Sequence, residues 1–360
     1  MTDADVKATA SEFQSNLEAD LTAVGRPRLT LEPMDPQLTN IQPGGGVIIR
    51  LELAWGRWRR WYLKTFRSGY IARMQELRQD ETNLCPHEAL DPRDLKFYRN
   101  QGSPVWSPEN DPFAWRDRLP FARVGLAELL VGSLATFGSA CLLTWLVLAL
   151  NLRGSAAWFG WLLVVTAIVI GVLIVWFFRN PRREIPQGDA LVVSPADGKV
   201  VTVEEIEYDE YLEGPAVLIG IFLSIFDVHI NRMPIAGRVI GLRYRPGKCL
   251  NALRPESAQE NEHLAVRLES NFAPHRRMVV RQITGAIARR IVCWIKPGDE
   301  LEAGAQFGMI KLGSRTELLL PREEGLEITT KVGEKVRAGS SALARYKPSA
   351  TNSGEVRLKE

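Results

Sequence analysis

Three short segments of the chain carry side chains whose types and spacing could do chemistry. A serine follows a glycine at Gly313-Ser314, a histidine lies in an apolar run at His229, and a carboxylate opens an Asp-Gly pair at Asp197. A serine hydroxyl is a poor nucleophile until a base takes its proton, and an imidazole is the most common base. A carboxylate can hold that imidazole in one tautomer. Each residue also has an ordinary structural interpretation, as a turn serine, a core histidine and a hairpin aspartate.

Histidine is scarce in the chain, which narrows the choice of base. Of the four histidines, His263 and His275 fall in a polar stretch with the pattern of a solvated loop, and His87 lies in an irregular N-terminal region. His229 has Asp227 close by and a strand-like apolar context. It is therefore the favoured base.

Composition limits the classes of protein to consider. The chain has 360 residues and a net charge of +3, and no segment has the pattern of a basic stripe for nucleic acid. Its four cysteines are too scattered for a metal cluster or a disulfide framework, so we expect reduced thiols. Residues 1–20 contain several acidic side chains and do not have the pattern of a cleaved secretory signal. We expect no metal and no nucleic-acid partner.

Two uncharged apolar runs, residues 129–150 and 157–178, predict a transmembrane helical hairpin. Each run matches the roughly 20 helical residues that cross a hydrocarbon layer. Their connector carries only Arg153, whereas arginines cluster in the outer flanks, 116–123 and 179–183. Because positive residues stay on the cytoplasmic side, we expect both ends of the hairpin there. A catalytic domain would then lie on the cytoplasmic face of the inner membrane.

The rest of the chain divides around this hairpin, which occupies residues 121–179 with its flanks. Residues 1–120 form an N-terminal extension, in which aromatic and arginine residues are closely interleaved over about 49–79. That mixture predicts a helix at the membrane interface, or else an amphipathic helix packed on the protein itself. Residues 180–360 hold short apolar runs separated by Gly, Pro and Asp-Gly turns, which predict a β-rich domain.

An internal repeat flanks the Gly-Ser pair. The segment KPGDELEAG at 296–304 is echoed by KVGEKVRAG at 331–339. The two copies resemble the paired halves of biotinyl and lipoyl carrier domains, in which a hairpin between the halves presents the modified residue. We therefore expect barrel-sandwich half-motifs in the β-rich domain, with Ser314 at an exposed hairpin tip.

Three motifs, taken in order, resemble those of the phosphatidylserine decarboxylase proenzymes, in particular the branch with a Gly-Ser-Arg site. They are SPADGKV at 194–200 with FFRNP upstream at 177–181, FLSIFDVHINRMP at 222–234, and FGMIKLGSR at 307–315. The resemblance runs from about Phe177 to about Tyr346. Each motif alone is weak, but all three in order behind a membrane hairpin are specific.

This resemblance implies a proenzyme that cuts itself. Ser314 Oγ would attack the Gly313 carbonyl, in a conformation that glycine adopts at low cost, and the resulting ester would eliminate and leave a pyruvoyl group. The products would be a β chain, 1–313, and an α chain, 314–360. The pyruvoyl group would form a Schiff base with membrane phosphatidylserine, act as an electron sink and release CO₂, giving phosphatidylethanolamine. A homodimer is also expected.

The resemblance also implies roles for individual residues. Asp197 matches the carboxylate of the family's cleavage triad, and His229 matches a histidine of the active centre. The other branch of the family carries Asp-x-His-x-x-His, and Arg232 replaces the second histidine here. His229 would therefore serve self-cleavage, decarboxylation or both. Arg315 is expected to grip a substrate carboxylate or phosphate, or to be a solvated arginine.

Other interpretations stay open at this point. The repeat suggests a membrane-tethered carrier or binding module, in which Lys311 would take the place of a biotinylated lysine, although Ile310 and Leu312 flank it instead of methionines. A serine hydrolase is a further option, but Ser314 lacks the glycine pattern of a nucleophile elbow. The lipid backbone is undetermined, because nothing in the sequence reads the acyl region.

A Ser314→Ala chain is expected to remain full length and inactive, because the attacking hydroxyl is gone. Denaturing gel electrophoresis of the expressed protein checks this against wild type, which should give two bands. Normal cutting of the variant would refute the assigned site.

Overall fold

Three parts follow one another along the chain: a helical N-terminal part, a helical hairpin and a β-rich domain. The computed structural model describes residues 28–80, 82–102, 106–188, 190–251, 256–286, 290–311 and 313–347. The first part of the predicted extension and the last residues of the predicted catalytic domain lie outside these ranges.

Two helices, α1 (Val47–Phe66) and α2 (Ser68–Glu76), lie in the stretch predicted as one helix. The buried carboxylate of Asp91 joins them, because Arg59 of α1 and Tyr70 of α2 both donate hydrogen bonds to it, over 3.2 and 2.8 Å. The chain then runs through four short 3₁₀ helices, Pro92–Leu95, Pro108–Asn110, Ala114–Arg118 and Arg123–Gly125.

Helices α3 (Leu126–Ala149) and α4 (Gly154–Phe177) form the hairpin and are long and apolar enough to cross a membrane. This confirms the prediction of two such helices, which begin at residues 126 and 154 instead of 129 and 157. Their apolar side chains are largely exposed, with Leu134 at 66% and Trp158 at 81%. Exposed apolar surface of this extent is typical of helices that face lipid or a partner, and these two helices are compatible with membrane association.

Glycines allow α3 and α4 to approach each other closely. A Cβ added to Gly171 would lie 2.7 Å from Phe137 Cζ, and one added to Gly160 would lie 2.5 Å from Val147 Cγ2. Both distances are shorter than carbon atoms tolerate. Small residues at helix contacts are a general feature of membrane helix pairs.

The β-rich domain contains fourteen strands in the described residues, which confirms that prediction. The strands are β1 (Leu191–Val193), β2 (Gly198–Asp209), β3 (Gly214–Leu223), β4 (Ile230–Arg232), β5 (Gly237–Arg245), β6 (His263–Ser270), β7 (Arg277–Ile283), β8 (Arg290–Cys293), β9 (Glu300–Leu301), β10 (Gln306–Lys311), β11 (Ser314–Pro321), β12 (Leu326–Ile328), β13 (Lys335–Val336) and β14 (Ala342–Tyr346). A four-residue helix, α5 (Ser257–Glu260), precedes β6.

These strands form three sheets. The largest has eight strands in the order β13-β2-β3-β11-β7-β6-β5-β9, and two three-stranded sheets have the orders β4-β10-β8 and β1-β14-β12. All the strand pairs are antiparallel. Among the described strands no sheet closes on itself, so the finer barrel-sandwich description stays a prediction.

The two copies of the internal repeat have matching backbone conformations. Gly298 and Gly333 have φ values of 94° and 96°, and Gly304 and Gly339 both have φ 75°. The repeats supply β9 and β13, which are the two edge strands of the eight-stranded sheet. Their ends meet, because a Cβ on Gly339 would lie 3.4 Å from Gly304 Cα.

One apolar core joins the three sheets, and a second cluster attaches the domain to the hairpin. The first includes Leu318 of β11, Phe307 of β10 and Leu343 of β14. The second packs Phe177 and Phe178, at the end of α4, against apolar residues of β4, β8 and β10. The end of α4 is thus packed directly against the β-rich domain.

A Gly171→Leu chain is expected to unfold at a lower temperature than wild type, because the new side chain must displace Phe137. Overpacking of this kind typically costs about 1–3 kcal/mol. The measurement is the thermal midpoint of the detergent-solubilised protein. Gly138→Leu is the matched control, since a Cβ there meets nothing within 4 Å; equal effects of the two substitutions would contradict the packing described.

Candidate active site

The Gly-Ser pair lies where the chain passes from one sheet to another. Residues 312–313 connect β10, which pairs with β4 and β8, to β11, which pairs with β3 and β7. Gly313 has φ 57°, in the left-handed region, and no atom lies within 4 Å of a Cβ built there. Glycine is therefore needed at this position for its backbone conformation and not for lack of space.

The prediction that Ser314 sits at an exposed hairpin tip is wrong. Ser314 is the first residue of β11, lies opposite Leu223 and is 0% exposed. The physical reason is that β10 and β11 do not pair with each other: Ser314 enters β11, which lies between β3 and β7 inside the eight-stranded sheet. The repeat predicted a turn between two strands, but it carried no information on which strands those would pair with.

The Ser314 hydroxyl is buried and makes no hydrogen bond to any described residue. Leaving a buried hydroxyl unpaired typically costs about 1–3 kcal/mol. The hydroxyl therefore makes no hydrogen bond that would stabilise the described part of the fold. It is free to rotate toward the neighbouring Gly313 carbonyl.

His229 lies directly beside this pair. Its Nε2 accepts a hydrogen bond from the Gly313 N–H over 3.1 Å, and its Nδ1 lies 2.9 Å from the backbone carbonyl oxygen of Asp227. The two contacts assign the proton to Nδ1, since one neighbour is a donor and the other an acceptor. The ring packs against Phe177, with centroids 4.6 Å apart.

Burial sets the charge of His229. It lowers the pKa of the imidazole from 6.5 to about 4, against a smaller opposing effect of Asp227, whose backbone hydrogen bond and charge favour the charged form. The ring is therefore neutral at physiological pH, with a lone pair on Nε2. A neutral imidazole can take a proton, which an imidazolium cannot.

Asp197 lies elsewhere in the domain. Its carboxylate binds Arg183 over 2.6 Å and accepts a hydrogen bond from the Ala338 N–H over 2.8 Å. Burial raises its pKa, and these two partners lower it. Asp197 directly precedes β2. Because β3 lies between β2 and β11, these two strands are roughly 10 Å apart. Among the described contacts, Asp197 is not hydrogen-bonded to His229, and the triad role stays a prediction.

Arg315 points to the opposite face of β11 from Ser314, because successive side chains of a strand alternate. Its Nε lies 2.9 Å from Glu317 Oε1, and its Nη2 donates to Thr202 Oγ1 over 3.2 Å. Gly220 leaves room for the guanidinium, since a Cβ there would lie 2.8 Å from Nη2. The side chain is buried, so this geometry favours a role in holding the strand over a grip on substrate.

Arg232 does not take the place of a second histidine at Ser314. Its guanidinium donates to the Gly304 carbonyl over 2.8 Å and lies 3.4 Å from Asn180 Oδ1. These contacts hold the end of the first repeat. His229 is thus the histidine that the fold brings to the Gly-Ser pair.

Sequence reasoning missed a buried polar network under Ser314. Asn231 donates to Thr316 Oγ1 over 3.1 Å, and Gln282 donates to Asn231 Oδ1 over 2.8 Å. All three side chains are fully buried. The sequence does contain a signal of this network. His229 and Asn231 are two residues apart, as are Ser314 and Thr316, and residues two apart in an extended strand lie on one face.

The described residues contain no group of three or more His, Cys, Asp or Glu side chains able to hold a metal ion. The reactive groups that the structure brings together are the buried hydroxyl of Ser314, the neutral imidazole of His229 and the backbone carbonyl of Gly313. This set suits an intramolecular attack of Ser314 on the preceding peptide bond.

Comparison with known proteins identifies the family of this chain. The family model described as phosphatidylserine decarboxylase matches residues 170–344. A phosphatidylserine decarboxylase proenzyme of Rhodopirellula baltica is 54% identical over 252 residues, covering 70% of this chain and 99% of the relative. Proenzymes of the same name from Carboxydothermus hydrogenoformans and Syntrophus aciditrophicus are 45% and 43% identical, covering 53% and 48% of this chain and 85% and 78% of the relatives. The chain therefore belongs to the phosphatidylserine decarboxylase family.

Proposed function

We propose that this chain is a membrane-bound proenzyme that cuts itself between Gly313 and Ser314 and then decarboxylates phosphatidylserine to phosphatidylethanolamine. Besides family membership, one observation carries the proposal. The buried and unpaired Ser314 hydroxyl lies next to a peptide N–H that is hydrogen-bonded, over 3.1 Å, to the neutral imidazole of His229. The nucleophile, the labile bond and the base therefore lie side by side. Ser314 directly follows the labile bond, and His229 is hydrogen-bonded to Gly313, which directly precedes it.

The hydrogen bond between His229 Nε2 and the Gly313 N–H breaks first. Nε2 then accepts the Ser314 Oγ proton, and this step starts the self-cleavage. The oxygen then attacks the Gly313 carbonyl and the carbon–nitrogen bond breaks. The Ser314 nitrogen takes the proton back from His229 and becomes an amine, while Gly313 becomes an ester on Oγ. Removal of the proton from Ser314 Cα then expels Gly313 as a carboxylate and leaves a dehydroalanine. Water then replaces the nitrogen, ammonia leaves, and the new end of the chain is a ketone.

The residues present fit a pyruvoyl group, since its precursor Ser314 is committed to no structural hydrogen bond in the described part of the chain. The group supplies an electron sink for loss of carbon dioxide from an amino acid. The surrounding chain shields this site from bulk solvent, because Ser314, His229 and Asn231 are all 0% exposed. His229 is placed to hold or return a proton beside the new chain end.

The two products would stay together after cutting. The small chain, 314–360, would contain β11 to β14. β11 is hydrogen-bonded between β3 and β7, β13 pairs with β2, and β14 pairs with β1. Every one of these partners belongs to the large chain, so separation would break both the largest sheet and the core.

A lipid substrate can reach this site along the loop between β3 and β4. Ile225 and Phe226 of that loop are exposed at 40% and 57%, next to the end of α4. Trp176 Nε1 and Arg179 Nη2 of that end both donate to the Phe226 carbonyl, over 3.2 and 2.7 Å. The loop that leads to His229 therefore begins at the edge of the bilayer.

Helix α1 supports the same placement at a membrane surface. Its exposed apolar side chains recur at Val47, Leu51, Trp55, Trp58, Tyr62 and Phe66, which is one face of a helix. The aromatic rings pack one after another along the helix, with centroids 4.8, 5.7 and 5.4 Å apart. Aromatic rings of this kind settle at the level of lipid headgroups. The arginine flanks of the hairpin support a cytoplasmic position for this face and for the β-rich domain.

The carrier interpretation fits less well. Lys311, the candidate for a modified lysine, binds Glu128 at the start of α3 and donates to Gln42 Oε1 over 3.0 Å. Its side chain is only 11% exposed. A lysine that carries a mobile prosthetic group must be exposed to solvent, whereas Lys311 connects β10 to the hairpin.

The pH dependence of cutting tests the role of His229. The precursor is expected to cut at a constant rate between about pH 8 and pH 6 and to reach half that rate near pH 4, where His229 becomes charged. His229→Gln should cut roughly 10²- to 10⁴-fold more slowly, the usual contribution of a general base. The measurement is the fraction cut against time on denaturing gels. His263→Gln is the control and should keep the wild-type profile; a half-rate near pH 6.5 in wild type would point to an exposed histidine instead.

Lipid turnover tests the complete proposal. Purified protein mixed with phosphatidylserine vesicles should form phosphatidylethanolamine, detected by lipid mass spectrometry, and phenylhydrazine should label the small chain and stop the reaction. Ser314→Ala should do neither. Ser340→Ala is the matched control, because Gly339-Ser340 is the same dipeptide with Gly339 at φ 75°. Cut wild-type protein that produces no phosphatidylethanolamine would refute the substrate.

A further inference from the structure

A cavity of about 770 Å³ lies between the N-terminal part and the β-rich domain. The N-terminal side is formed by the chain between α2 and α3, and the other side includes Ile230 and Gln306. Phe121 and Val124, at the beginning of the hairpin, also line it. We call it the arginine cavity. Neither Ser314 nor His229 is among the described residues that line it, so it is separate from the reacting centre.

Positive charge exceeds negative charge on the wall of the arginine cavity. Among the described residues that line it, six are cationic and three are carboxylates. Two of the carboxylates, Asp111 and Asp117, are neutralised by Arg123, over 2.7 and 2.6 Å. The third, Asp299, accepts a hydrogen bond from the backbone of Lys296 over 3.0 Å.

Two arginines of this wall share one aromatic ring. The guanidinium carbons of Arg93 and Arg116 lie 5.9 and 4.8 Å from the centroid of Phe113. Arg59 also stacks on this ring, at 5.5 Å, but it is paired with Asp91. Within the described residues, neither Arg93 nor Arg116 forms an ion pair.

Arg93 and Arg116 are held close together and partly buried, and no carboxylate among the described residues forms an ion pair with either. Burial lowers the pKa of both guanidiniums, and neighbouring arginines lower it further: Arg59 for Arg93, and Arg93 and Arg123 for Arg116. Nearby carboxylates, Glu52, Asp91 and Asp94 for Arg93 and Asp111 and Glu52 for Arg116, oppose these effects only in part. Like charges that converge on a cavity cost free energy unless an anion binds between them. The stacking on Phe113 keeps the planar forks in place for such an anion.

We propose that the arginine cavity binds a phosphate group, with Arg93 and Arg116 as its ligands. A guanidinium matches the geometry of a phosphate with two parallel hydrogen bonds. The hairpin begins beside the cavity, since Phe121 and Val124 line it. If the hairpin crosses a bilayer, the cavity would lie near the lipid headgroups. The phosphate would thus be that of an anionic phospholipid, held beside the hairpin and away from Ser314.

Binding is best measured on the uncut Ser314→Ala chain, so that the result does not depend on decarboxylation. The probes are a short-chain phosphatidylglycerol and inorganic phosphate, each titrated against the detergent-solubilised protein while its thermal midpoint is followed. Short-chain phosphatidylcholine, whose phosphate is neutralised by its own choline, is the control for binding by the acyl chains and a headgroup without net negative charge. A midpoint that rises with phosphatidylglycerol alone identifies a lipid, and a rise with both anions identifies any phosphate; both outcomes support the site.

Arg93→Gln and Arg116→Gln are each expected to weaken anion binding about tenfold or more, the usual effect of losing a charge-assisted hydrogen bond. Arg118→Gln is the matched control, because this exposed arginine lies in the same segment and does not line the cavity among the described residues. If the glutamine variants fail to fold, Arg93→Lys with Arg116→Lys keeps both charges and loses the planar forks, and it should still bind several-fold more weakly. Wild-type affinity in the variants, or no response of the parent chain to either anion, would overturn the proposal.

Discussion

The hydrogen bond from the Gly313 N–H to His229 Nε2 is the contact on which the account of this site depends. It forms because the chain crosses between two sheets at Gly313, and because each flanking strand is held on both sides by other strands. Glycine adopts the left-handed backbone of Gly313 at low cost, and both ring nitrogens of the neutral His229 have hydrogen-bond partners. The buried, unpaired Ser314 hydroxyl is the unfavourable element, and it persists because the surrounding strands fix its position.

The same site is fastened to the hairpin. His229 packs on Phe177, the last residue of α4, and Lys311, next to the Gly-Ser connection, binds Glu128 in the first turn of α3. Each side of the reactive centre therefore touches a different helix of the pair. Because of this, loss of the hairpin would disturb the chemistry itself as well as the attachment to lipid. A soluble fragment of the β-rich domain alone would lack both contacts.

The sequence predicted the parts of this structure that depend on local pattern. The apolar runs predicted α3 and α4, and the motif residues His229 and Ser314 do lie together. It could not predict that Ser314 is buried, because strand pairing over long separations decides burial, and a two-residue turn is compatible with a hairpin or a crossing. The partners of Asp197 and the side of β11 that Arg315 occupies depend on the same long-range pairing.

The intact masses of the chains in mature protein from native membranes test the central claim most directly. The account predicts two chains: residues 1–313 with an ordinary terminal carboxylate, and residues 314–360 lighter by one ammonia than a chain that begins with serine. A single uncut chain with an unmodified Ser314, or a break at another bond, would contradict it.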